Sequence, residues 1–511
     1  MDVQIVLGIF CVLLLIAGVG LWSGRKVRNE KDFITGGGRA GTGLVFGALM
    51  GSLVSSQATM GSVQLAFHYG LAAWWFTLGS GIGCLLLALG YVRALRASGC
   101  VTVMQIIAGE YGTTAERLGA VLSAAGIFIT VLAQVIACIG LITLMFPALS
   151  PLQAAMVSTA MMCCYILFGG AWGAGMGGTV KTGLLCLSLF GGMVMVFRLE
   201  GGISPLMNSL KGLLAATPLG TVQSAAAGVP DITDFSGISS RFLSLTARGA
   251  AKNAASCLSL VLGVISTQTY AQAVWSARSD TDARRGALLS AFLIPPLGIA
   301  GIFIGLFMRA HYITGAEVAA LKAAGLAVPD LPVLNSTLHA LPAFLVDRLP
   351  PLWAGAGLGT LLIAVVGGGA GLALGMATVL VKDLRLRALK HTGAAQELRA
   401  LRWAVAAVLI GAAVMAVALP DAMLNDFGFL SMGLRGTAVC APMTCALVLK
   451  GRLRPSFIVA SMTLGTAAVA AGRFLDRDSL MSGMAVSVLC CLAGLLFPPD
   501  GKTLLSSRRR S

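Results

Sequence analysis

Ser55, Ser56, Gln57 and Thr59 stand together in "GSLVSSQATMG" at 51–61, inside a run otherwise apolar enough to lie in a lipid bilayer. A helix in hydrocarbon must satisfy its own N–H and C=O groups, so a break at that depth has to be buried in protein or line a watery cavity. Gly51 and Gly61 let the backbone leave helical geometry, and the hydroxyls and amide can replace lost bonds or face a solute. The alternative is close helix packing, with the serines bonded back to their own carbonyls. A second polar break follows five spans later in "GVISTQTYAQAVWSARSD", where Ser266, Thr267, Gln268, Thr269 and Gln272 interrupt an apolar helix. Breaks at corresponding positions of two halves point to an inverted-repeat secondary transporter with its solute site near mid-membrane.

Arg435 is the charge that stands out, near the middle of "LNDFGFLSMGLRGTAVCAPM", and the sequence shows no other charged residue so central in a span. Such a guanidinium needs water, free backbone carbonyls or an anionic solute. Two roles stay open for it: recognition of a small carboxylate, or a brace on the exposed carbonyls of the broken helices. His68, at the far end of the second span, reads as a hydrogen-bonded interfacial histidine or a proton-coupling group. No paired carboxylates, His–Cys cluster or nucleophile motif lies within the spans, which leaves an enzyme reading without support.

The elements that must carry these residues follow from composition. The 511 residues are 57% hydrophobic and only 11% charged, too little polar material to cover a water-soluble globule. The reading is an all-α polytopic membrane protein. Runs of about 20 apolar residues give about thirteen candidate spans, near 3–22, 42–68, 71–92, 117–146, 151–170, 178–198, 253–276, 287–309, 353–381, 401–419, 424–449, 456–475 and 481–497. The first is read as a retained span, since Asp2 replaces a basic leader region and no small-residue cleavage site follows.

The net charge of +16 comes largely from short loops, where it sets orientation; a nucleic-acid partner is not expected. Segments 23–40 and 382–402, "KGRLR" at 450–454 and the ending "LLSSRRRS" all fall on the cytoplasmic side if the N-terminus faces outward. Residues 1–500 are then one transmembrane domain, with repeats near 41–200 and 250–450, followed by a basic cytoplasmic tail at 501–511. The expected setting is the plasma membrane. Twelve cysteines, mostly within spans and without CxxC spacing, read as small apolar side chains. There is no Walker motif, and nothing in the sequence fixes an oligomeric state.

"DFITGGGR" at 32–39, the "LVFGALMGSLVSSQATMGSVQLAFHYGLAAWW" that follows it, and "TQTYAQAVWSARSDTDARRGALL" at 267–289 resemble the sodium:solute symporter family over residues 3 to about 450. That resemblance implies a leucine-transporter-like fold, a 5+5 inverted-repeat core with broken second and seventh spans, and symport by alternating access. It further implies that Gly51 and Val54 supply carbonyls to a sodium ion and that Ser55, Ser56 and Gln57 form the solute-facing turn. Thr267 and Gln268 match a solute-contacting pair, with Tyr270 one turn deeper as an aromatic gate. Trp74 and Trp75 are expected to anchor a span end at the interface.

The ninth span departs from the family pattern. In "LLIAVVGGGAGLALGMATVLVKD", Ala364 fits a carbonyl donor, but Gly367 and Gly368 stand where hydroxyls should complete the ion's oxygen cage. No other cofactor is expected, sodium coupling at this site is in doubt, and uptake with sodium replaced by potassium or choline is the expectation. Serines at 367 and 368 should then introduce sodium dependence if they fit. The cargo is read as a small polar, and through Arg435 an anionic, organic solute. A sensor that keeps the transporter fold and binds without passage is the alternative.

Overall fold

The computed structural model describes residues 2–25, 30–216, 242–323, 327–385, 394–419, 423–474 and 479–497. The basic tail at 501–511 lies outside them. Three spans begin where the sequence supplies a side-chain cap. Asp2 Oδ1 accepts from the Gln4 amide at 3.0 Å ahead of the first helix, Val3–Gly24. Thr102 Oγ1 accepts from the Gln105 amide at 3.1 Å ahead of the fourth span, Val103–Met145. Ser279 does the same for the eighth, Asp280–His311, whose first turn carries Asp280 and Asp282. Among the described residues, seven helices are long and apolar enough to cross a membrane, eight if the bent pair Ala250–Ser266 and Gln268–Ser276 forms one span. The protein is an integral membrane protein.

Both sequence-predicted breaks are present. The second span runs as Thr42–Leu53, leaves helical geometry at Val54 (φ −92°, ψ 82°), and resumes as a widened turn at Gln57–Gly61 followed by Ser62–Tyr69. The seventh bends by 46° at Thr267. The ninth span, Pro351–Val379, packs between these broken elements and the fourth. The eleventh runs as Leu424–Arg435, a widened turn at Gly436–Cys440, and Ala441–Val448.

The expected fifth and sixth spans are one continuous hairpin, Pro151–Glu200. It opens with a reciprocal cap between Ser150 and Gln153 and turns at Gly170, whose φ of +48° and ψ of −138° suit glycine alone. The chain folds back there, bringing the Tyr165 hydroxyl against Gly177. The second arm therefore starts near residue 171, several residues before the apolar run at 178–198 suggests. The long connection at 310–350 holds helices Gly315–Ala323 and Ala340–Arg348 and a short parallel pair, Ile313–Thr314 with Val333–Leu334. Of the connection at 199–252, the structure describes the helix Ile203–Ala216 and residues from 242 onward.

The sixth span lies directly on the second through facing glycines. A Cβ on Gly178 would come within 2.0 Å of the Gly47 carbonyl oxygen, and one on Gly47 would come within 2.0 Å of the Gly175 carbonyl oxygen. Small residues let the two backbones meet. Gly178→Ala should therefore push the helices apart and cost about 1–3 kcal/mol, read as a lowered unfolding temperature of the purified protein; an unchanged temperature would contradict this packing.

Candidate functional site

The second span's break is held by the fourth span. Gln134 Nε2 donates to Ser55 Oγ at 2.8 Å, and its Oε1 accepts from the Ser56 amide at 3.2 Å, so one buried side chain satisfies an unwound backbone group and a neighbouring hydroxyl. One turn earlier on the same helix face, Thr130 accepts from Arg435 Nη2 at 3.0 Å. Arg435 Nη1 donates to Thr267 Oγ1 at 2.9 Å, and Thr267 donates in turn to the Gly263 carbonyl at 2.5 Å. A polar thread, bonded from the second span's break to Gln134 and from Thr130 through Arg435 to the seventh's, is completed by the fourth span's helix, which carries Gln134 and Thr130 one turn apart.

Arg435 is fully buried and richly bonded. Besides Thr130 and Thr267, it donates through Nε to the Ser431 carbonyl at 3.1 Å and through Nη2 to Ser431 Oγ at 2.8 Å. Four of the five N–H donors of a guanidinium are thereby engaged. The partners of Arg435 are three hydroxyls and a carbonyl of its own helix, not the exposed carbonyls of the broken spans. Gly126 on the fourth span gives the room for it, since a Cβ there would lie 2.7 Å from Arg435 Cγ.

The remaining sequence candidates fall in different places. Gln57 is buried, and its Nε2 donates to the Leu424 carbonyl at 3.3 Å, at the start of the eleventh span. Gln268 turns away from this group: Nε2 donates to the Val101 carbonyl at 3.0 Å and Oε1 accepts from the Val103 amide at 2.9 Å. Its amide staples the loop ahead of the fourth span, a backbone need that a match by residue type does not reveal. Tyr270 is buried. Ser56 Oγ and Thr269 Oγ1, one in each broken span, are buried hydroxyls without a hydrogen-bond partner among the described residues. The indole N–H groups of Trp74 and Trp75 are spent on protein backbone, at the Pro295 and Leu245 carbonyls.

At the sodium-site positions a residue that sequence reasoning passed over takes the central place. Lys181 Nζ donates to the Gly51 carbonyl at 2.5 Å and to the Ala364 carbonyl at 3.2 Å, with the side chain fully buried. The reading of Arg435 as uniquely central is thus corrected: Lys181 lies within the span Gly170–Glu200 and is likewise fully buried. Lys181 sat near the edge of an apolar window, and only the turn at Gly170 places it well inside the sixth span. Gly51 offers its carbonyl because the helix ends at Leu53, which removes the amide that would otherwise bond it. Gly367 and Gly368 pack tightly: a Cβ on Gly368 would lie 2.4 Å from Ser55 Cβ, and one on Gly367 would lie 3.2 Å from the Tyr165 hydroxyl. A serine at 368 therefore does not fit this arrangement.

A narrow cleft, with a cavity volume of only about 40 Å³, reaches toward this region. Ser52, Trp172, Thr269, Gln272, Ser276 and Gly371 are among the residues that line it. Gly36 and Ala40, of the 23–40 segment, line it too, and the Ala40 amide donates to the Ser276 carbonyl at 2.8 Å. Away from it, the helix Ser62–Tyr69 of the second span meets the connection at 310–350 and the start of the eleventh span. There Gln64 Nε2 donates to Thr337 Oγ1 at 3.2 Å, its Oε1 accepts from the Leu424 amide at 3.2 Å, and Arg248 pairs with Asp426 at 2.9 Å. Phe76 and Phe429 meet edge to face behind them.

Thr267→Val would keep the shape at the seventh-span break and remove an acceptor from a buried guanidinium. The expected cost is about 1–3 kcal/mol, seen as a lower unfolding temperature, with Arg435→Lys costing at least as much because one ammonium cannot reach Thr130, Ser431 and Thr267 together. Unaltered stability in both variants would contradict the thread.

With this geometry in view, the comparisons with known proteins agree. The fold is similar to that of a sodium-coupled sialic acid symporter in a substrate-bound, outward-open state, at a TM-score of 0.74 and 16% identity, covering 98% of both chains. It is also similar to a nucleobase-cation-symport-1 family transporter in a closed conformation with bromovinylhydantoin bound, at 0.53 and 12% identity, covering 95% of this chain and 100% of that one. At such identities the likeness concerns the fold alone. The family model of the sodium:solute symporter family matches residues 33–451. This chain belongs to the sodium:solute symporter family and is a secondary active solute transporter with the leucine-transporter-like fold.

Proposed function

We propose that the transporter carries a small polar organic solute bearing a carboxylate, bound between the two broken spans and released through the cleft that residues of the basic 23–40 segment help to line. The observation that carries this reading is the polar thread joining the breaks, with an unpartnered buried hydroxyl on each broken span, Ser56 Oγ and Thr269 Oγ1. Buried polar atoms without partners are costly, and a solute that supplies the missing bonds is held by them. Arg435 provides the one positive charge in the thread. A carboxylate binds it by replacing one of its hydroxyl partners, which ties solute binding to the packing of the seventh and eleventh spans against the fourth.

The basic loops then face the cytoplasm of a plasma-membrane protein, as positive charge in short loops favours. The bonds of Gln64 to Leu424 and of Arg248 to Asp426, away from the narrow cleft, fit an inward-facing step of alternating access. Sodium coupling through Gly51, Val54 and Ala364 is not part of this reading. The ninth-span glycines give that site no hydroxyls, and Gly368 packs against Ser55.

Thermal unfolding of the purified protein against amino acids, other small carboxylates, sugars and nucleobases identifies the solute, because a ligand bound only by the folded state raises its stability. A carboxylate is expected to stabilise the protein by about 2.7 kcal/mol at a hundred times its Kd and to exchange across proteoliposome membranes in counterflow. Arg435→Ala should abolish that stabilisation. Stabilisation by a neutral sugar or nucleobase alone would overturn the carboxylate assignment.

A further inference from the structure

The ion implied by the family and the residues present do not fit one another, and Lys181 is the reason. Gly51 and Ala364 are carbonyl donors that the family resemblance assigns to a sodium ion, and both are bonded to the Lys181 ammonium. A sodium ion and a primary ammonium place the same demand on their surroundings, oxygen dipoles around a single positive charge. Two positive charges at contact distance in a dry interior repel strongly, so the position admits one of them. Among the described residues, no acidic side chain forms an ion pair with Lys181.

We propose that Lys181 is the resident cation of this transporter: its ammonium takes the place of a coupling sodium, bridges the second span to the ninth, and makes transport independent of sodium. Two further features support this assignment without depending on those bonds. The facing glycines of the second and sixth spans bring the two backbones together one turn before Lys181, which delivers its side chain to the break. The ninth span packs against Ser55 through Gly368 and offers no hydroxyl of its own at that position. A tethered cation differs from a bound one in a useful way: it cannot leave, so the bridge it forms is present at any external sodium concentration.

The transport half of this inference rests on the solute reading above; the binding half does not. The full-length protein, purified, is unfolded thermally in sodium chloride and in choline chloride at equal ionic strength. The expected result is equal stability for the native protein. Lys181→Ala is expected to be less stable, and to be restored saturably by propylammonium while choline has no effect. Lys181→Met, which keeps the side-chain bulk without the charge, is expected to fold and to lose solute counterflow by at least about tenfold. Saturable stabilisation of the native protein by sodium would overturn the proposal, as would a Lys181→Met protein with native counterflow. If Lys181→Ala does not fold, the Lys181→Met protein and the native sodium series decide the matter. If the native protein exchanges no solute, the solute reading fails, and the sodium and propylammonium series still judge Lys181.

Discussion

A polypeptide that unwinds a helix inside a membrane has to supply from its own atoms every hydrogen bond that water would otherwise make. The arrangement around the second and seventh spans follows from that requirement. Unwinding at Val54 frees the Ser56 amide and the Gly51 carbonyl, and the chain answers with Gln134 from the fourth span and Lys181 from the sixth. Bending at Thr267 brings a threonine hydroxyl to the Arg435 guanidinium. Each partner comes from a different helix. The breaks consequently serve as junctions at which several spans are fixed relative to one another.

Glycine sets the distances at these junctions. The second and sixth spans approach through Gly47 and Gly178, the ninth approaches the second through Gly368, and the fourth leaves space for Arg435 at Gly126. Where the backbones meet this closely, a long cationic side chain can reach the opposing carbonyls without an extended, mobile stem. The same closeness explains why the hydroxyl-bearing pattern of a sodium site is absent from the ninth span: a side chain at 368 would occupy the volume of Ser55.

Much of this was legible in the sequence, for physical reasons that also mark where legibility ended. The two breaks announced themselves because polar side chains and glycines are conspicuous in an apolar run, and the carbonyl positions Gly51 and Ala364 followed from the family resemblance. Thr130 and Gln134 did not announce themselves, since two polar residues four apart in "FITVLAQVIAC" look like ordinary small-scale packing until their partners are known. Lys181 was concealed by its place at the margin of an apolar window, because hydropathy does not locate a turn such as Gly170. Gln268 shows the opposite error: the residue type suits a solute, but the loop at 101–103 needs its amide.

The most direct measurement of the account is the entry of radioactive sodium into proteoliposomes during uptake of the identified solute, at fixed membrane potential and ionic strength. With the Gly51 and Ala364 carbonyls held by Lys181, solute uptake should proceed with no solute-dependent sodium entry. Sodium entering in a fixed ratio to the solute would contradict it.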